Sequence, residues 1–225
     1  MTGTFSLVDS FALADLDVFL GRAAKVEEGS ARLIADSGVL AAYVAVFYPI
    51  GLRDETPTVL GLRTYALTEG ESFDAVVPLR SMLDRLARLK SAEATPIQSV
   101  RVSLPIEVNS ATWAQISPPR GGWLALKDAD PVKLEAVAKA GIEEIMASST
   151  EGIMERLLHR VRSEVWSRPI PGLEHIPAGA AFAASTLGFL AGGDPVKVYE
   201  TGPWTRLTTQ RGHVLIRRRA WTLQP

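Results

Sequence analysis

Ile116-Ser117-Pro118-Pro119-Arg120-Gly121-Gly122-Trp123 divides the sequence into two halves of different pattern. Pro118 and Pro119 fix φ, and Pro118 pushes Ser117 toward extended geometry, so no helix runs through. Gly121 and Gly122 then free the backbone that the prolines had stiffened. Trp123 ends the stretch with a ring large enough to need a surface to pack on. Two readings follow. One is an ordered connector whose Trp123 docks into the core. The other is a proline–aromatic interaction surface made of Pro118, Pro119 and Trp123. Either way, residues 1–115 form one half, 116–123 the connector and 124–225 the other half, and the two halves can pack as one domain.

Upstream of the connector, residues 1–10 carry little pattern. Leu16, Phe19, Leu20, Ala23 and Val26 recur at helical spacing, with Ser10 placed to cap the start and Gly29 the end. Ala31–Ala35, Asp36-Ser37-Gly38 and Val39–Tyr48 read as a β-hairpin with glycine in its turn. Val59–Leu67 and Phe73–Val77 read as further strands. Pro78 fits the first turn of a helix whose stripe is Leu79, Met82, Leu83, Leu86 and Leu89. Val100, Val102 and Leu104 alternate with Arg101 and Ser103, as in a strand with one wet face.

Downstream, Asp130-Pro131 marks a helix start, and Ser148 with Glu151 has the spacing of a capping box for the next helix. Pro177 opens a third helix over Ala178–Ala191. Lys197–Glu200, Thr205–Thr209 and His213–Arg218 then read as strands, the last two joined through Gln210-Arg211-Gly212. The fold class is therefore α+β: a mixed, mostly antiparallel N-terminal sheet with helices, then a three-helix unit ending in a basic β-hairpin.

Three helices followed by a hairpin resembles the element order of a winged-helix module, over roughly the last hundred residues. The resemblance implies a third helix in the DNA major groove and a hairpin on phosphate. The candidate wing carries Arg206, Arg211, His213, Arg217, Arg218 and Arg219, and from Gly152 onward basic residues outnumber acidic ones ten to five. The third helix departs from the pattern, because it holds no Arg, Lys, Asn or Gln to read base edges. The run Arg217-Arg218-Arg219 also suits an edge strand, where charge discourages pairing with other chains.

Composition narrows the classes. The chain has 225 residues, 47% hydrophobic and 22% charged, enough for a sizeable core. Net charge is −1, so no whole-molecule field points to nucleic acid or acidic lipid. The absence of cysteine excludes disulfides, thiolate metal sites and cysteine nucleophiles. His159, His175 and His213 lie in different elements, so no metal and no cofactor is expected. No G-x-S-x-G, Walker A or G-x-G-x-x-G motif occurs. No apolar run reaches membrane-spanning length, so the expected place is the cytoplasm and no membrane partner is expected.

The functional expectation is a soluble protein acting through protein–protein contacts, with self-association as a homodimer. The first alternative is weak, non-sequence-specific nucleic-acid binding through the basic hairpin. The second is a metal-independent enzyme with a pocket between the halves.

Overall fold

The computed structural model describes residues 3–51, 54, 56–70, 72–92, 98–108, 111–148, 155–190 and 193–217. Thr4–Leu7 buries Phe5 and Leu7 and leaves Thr4 and Ser6 half-exposed, and forms strand β1. Asp9 follows in extended backbone. Its Oδ1 accepts from the Ala12 backbone N–H at 2.7 Å, which starts helix α1 (Ser10–Val26) one residue earlier than the Ser10 cap expected from the sequence. Leu13, Leu16, Phe19, Leu20 and Ala23 form its buried stripe.

Strands β2 (Ser30–Asp36) and β3 (Val39–Phe47) pair as the expected hairpin, Asp36 facing Val39. Ser37 and Gly38 both take positive φ, 51° and 77°, so the turn has the type I′ geometry that matches strand twist. Strands β4 (Thr58–Gly70) and β5 (Phe73–Pro78), helix α2 (Leu79–Ala92) and strand β6 (Val100–Ser103) complete this part of the chain.

The chain divides into two compact units. Unit 1 is Met1–Ala45 with Leu62–Ser117, and unit 2 is Val46–Gly61 with Pro118–Pro225. In unit 1 the strand order is β5-β2-β3-β4-β1-β6. Alternation along β2 buries Ala31, Leu33 and Ala35, while Arg32 points to the opposite face. Helices α1 and α2 pack against each other, and Met82 and Leu86 are fully buried. On the Arg32 face, a short 3-10 helix over Thr112–Gln115 buries Trp113 and Ala114.

Unit 2 holds strand β7 (Leu124–Ala125), helices α3 (Pro131–Ser148) and α4 (Glu155–Ser167), the small hairpin β8 (Pro169–Ile170) with β9 (Leu173–Pro177), helix α5 (Ala178–Thr186) and strands β10 (Lys197–Thr201), β11 (Trp204–Thr209) and β12 (Gly212–Arg217). The strand order is β12-β11-β10-β7, antiparallel throughout. Val198, Leu207, Val214 and Ile216 share one buried face, and α5 packs on β12. Trp166 of α4 ties the three helices together. Its ring stacks on Phe182 of α5 with centroids 4.3 Å apart and lies against Gly141 of α3. Residues 56 and 163 meet in the same unit: the Thr56 and Ser163 hydroxyls lie 2.6 Å apart, and Thr56 Oγ1 also donates to Asp54.

This architecture is α+β, but it is not winged-helix. The third helix is nine residues long and almost entirely Ala and Gly at its buried positions, so it is a packing helix. The hairpin β11–β12 is no free wing, because β10 and β7 continue the sheet beyond β11. The capping box expected at Ser148 and Glu151 falls partly on Glu151, outside the described residues. Ser148 instead donates to the Glu144 carbonyl at 2.9 Å, at the end of α3.

Candidate functional site

Antiparallel register sorts the C-terminal basic residues. Tyr199 of β10 lies opposite Arg206 of β11, which lies opposite Leu215 of β12. Thr208 lies opposite both Lys197 and His213, and Trp204 opposite Arg217. Because side chains alternate, Lys197, Tyr199, Arg206, His213 and Arg217 share the sheet face turned away from Val198, Leu207 and Val214. The structure thus brings Arg206, His213 and Arg217 to one face. Arg211 is exposed in the turn, its N–H donating to Thr209 Oγ1 at 3.1 Å. Arg218 and Arg219 lie outside the described residues.

Arg206 has an unusual setting. Its guanidinium carbon sits 4.5 Å from the Trp123 ring centroid and 4.7 Å from that of Tyr199. Its Nε is buried without a hydrogen-bond partner. Burial lowers its pKa, the Tyr199 phenol opposes that shift, and the group stays charged. His213 is half-buried, with Nδ1 3.0 Å from Thr208 Oγ1. Burial, then the charge of Arg206, lowers its pKa below the ordinary histidine value.

The connector residues are more open than a core location. Pro119 is exposed, and Pro118 and Trp123 are half-buried. Trp123 Nε1 donates to the Pro119 carbonyl at 3.1 Å, folding the connector back on itself under the Arg206 guanidinium.

The helical side of unit 1 carries a second set of cations, which the apolar stripes read from the sequence leave out. Arg22 and Lys25 on α1, and Arg80, Arg88 and Lys90 on α2, are all exposed. Across the two helices, six basic residues face three acidic ones, Asp15, Asp17 and Asp84. Lys90 bonds Asp17 at 2.6 Å, Arg85 bonds Ser103 Oγ at 2.7 Å, and Arg80 reaches Glu28 only at 3.9 Å. Neither helix contains Asn or Gln. The signal was present as an excess of Arg and Lys over Asp on α2, but it becomes a surface only once α1 and α2 pack side by side. Among the described residues, no three His, Asp or Glu side chains converge as a metal site.

A family model described as "Domain of unknown function (DUF8010)" matches residues 1–105, and one described as "Domain of unknown function (DUF8185)" matches residues 118–221. Comparison with curated proteins finds no match. Among solved structures, the chain is similar to Caulobacter crescentus pol III beta, at 12% identity and a TM-score of 0.54, covering 100% of this chain and 66% of that one. It is similar to a putative DNA polymerase III beta subunit from Eubacterium rectale at 9% identity and a TM-score of 0.53, covering 99% and 66%. The chain has a sliding-clamp-like fold. A DNA polymerase sliding clamp from Caulobacter crescentus also aligns, at 12% identity and a TM-score of 0.49, covering 99% and 67%. The chain spans 66% of the length of the Caulobacter crescentus pol III beta chain.

The clamp-like fold replaces the winged-helix order expected from the sequence. The functional reading that went with it, an unspecified role through protein–protein contacts, is corrected by the same likeness to DNA polymerase III beta structures. No helix among the described residues is long and apolar enough to cross a membrane.

Proposed function

We propose that this chain is a clamp-like module that rides on duplex DNA, with α1 and α2 toward the phosphates. The observation that carries the reading is the alignment of the whole chain, 100% of it, with a DNA polymerase III beta structure at a TM-score of 0.54. The helix face supports it chemically. A protein that slides must be held by the backbone and must not read sequence, which calls for Arg and Lys without base-reading amides. Helices α1 and α2 have that composition, whereas the hairpin cations lie on the sheet face of unit 2. A clamp must also close. Self-association or a partner protein supplies that closure, and the module works where the DNA is, in the cytoplasm.

The test is fluorescence anisotropy with duplexes of unrelated sequence, alongside retention on nicked circular versus linear plasmid. Changing Arg22, Lys25, Arg80 and Arg88 together to Glu abolishes binding, while changing Arg211 and Arg217 leaves it intact. Four phosphate contacts predict roughly a 100-fold affinity loss between 50 and 200 mM salt. Binding that survives the helix changes, or that is lost with Arg211 and Arg217 instead, refutes the reading.

A further inference from the structure

The sheet face of unit 2 holds a cation that no described residue neutralises. Among the described residues Arg206 makes no ion pair and no hydrogen bond, although it is half-buried and its Nε is shut off from solvent. Trp123 and Tyr199 lie against the guanidinium at 4.5 and 4.7 Å and hold it in place. With rings over its plane and Nε shut off, what remains for a ligand is the edge formed by Nη1 and Nη2, whose paired N–H groups match a carboxylate. Strands β10, β11 and β12 contribute Lys197, Arg206, His213 and Arg217 to this face and no carboxylate, since Glu200 falls on the opposite face with Thr205. The one described carboxylate that meets a cation here, Asp128 on Lys197 at 2.7 Å, comes from the loop ahead of α3.

We propose that this face docks an acidic peptide segment of a partner protein, one carboxylate of which takes the N–H edge of Arg206. Charge complementarity selects an acidic partner. The half-buried Trp123 and the exposed Pro119 beside the cation favour a peptide, because protein interfaces join aromatic and arginine anchors in this way. The proposal does not depend on how the helix face of unit 1 is used.

The experiment follows the Arg206 Nε–H resonance in 15N-labelled protein, assigned through Arg206→Lys. Tetraglutamate is titrated, with tetraglutamine, inorganic phosphate and a short duplex DNA as comparisons. A saturable shift with tetraglutamate alone is expected, weakened about tenfold or more in Arg206→Lys, read there from neighbouring backbone amides, because lysine lacks the planar fork. If Arg206→Lys does not fold, assignment moves to Trp123→Phe, which keeps the guanidinium, and the wild-type titration still decides. No shift with tetraglutamate, or unchanged affinity in Arg206→Lys, overturns the proposal. An equal or larger response to phosphate or duplex overturns it too and assigns the face to phosphate.

Discussion

Gly141→Ala sets two effects of known sign against each other. Gly141 lies inside α3, where alanine is favoured over glycine by about 1 kcal/mol. A Cβ at Gly141, however, would overlap Trp166 Cζ3 and lie 2.6 Å from Cη2. Trp166 is 2% exposed, stacks on Phe182 at 4.3 Å, and has Gly179 close by, where an added Cβ would meet Trp166 Cβ at 3.2 Å. The ring therefore cannot swing aside without unpacking α5. Overpacking of a core costs about 1–3 kcal/mol, and this contact is at the severe end, so the net loss is about 1–2 kcal/mol. In a chain of this size that lowers Tm by roughly 2–8 °C. Gly21 provides the control. It lies inside α1, and its added Cβ would meet only Leu83 Cδ2, at 4.0 Å, so Gly21→Ala should stabilise by up to about 1 kcal/mol. Thermal and urea denaturation of both variants measures the pair. Shifts of the same sign, or a Gly141→Ala protein as stable as wild type, would refute the claim that Trp166 is pinned.

Arg32 bonds both Asp74 carboxylate oxygens at 2.7 and 2.6 Å, the Ala114 carbonyl at 2.7 Å and Ser117 Oγ at 2.8 Å. Arg32→Met keeps the stem but releases these groups. Because Asp74 is half-exposed, the cost is about 1–2 kcal/mol, and hydrogen exchange should accelerate over residues 111–117. His213 is held neutral by burial, so its folded pKa lies below its unfolded one and folding is favoured by deprotonation. Its contribution is complete above about pH 6.5 and is lost as pH falls below that value, so the urea midpoint should drop there and His213→Gln should flatten the drop.

The parts of the fold that sequence could show were local. The α1 stripe from Leu16 to Ala23, the Ser37-Gly38 turn and the Asp130-Pro131 helix start all depend on neighbours within a few residues. Strand β1 was missed because four residues alternating Thr, Phe, Ser and Leu are too short to carry a period, and their partners, β4 and β6, lie far along the chain. The winged-helix order was misleading because element order does not say which strands extend a hairpin. Tyr199 and Trp123 were needed to see what Arg206 does, and they reach it through β-register and the connector rather than through spacing. Arg32 gave no signal, since its four acceptors lie 42 to 85 residues away.

Residues 46–61 belong to unit 2 although they are threaded between segments of unit 1. The family models divide the chain between 105 and 118, so the boundary in sequence and the boundary in folding do not coincide. A gene fragment starting at Pro118 lacks Thr56 and with it the hydroxyl that meets Ser163, and one ending at Ser117 carries Thr56 without Ser163. Recombination at the connector would thus yield two damaged pieces rather than two exchangeable cassettes.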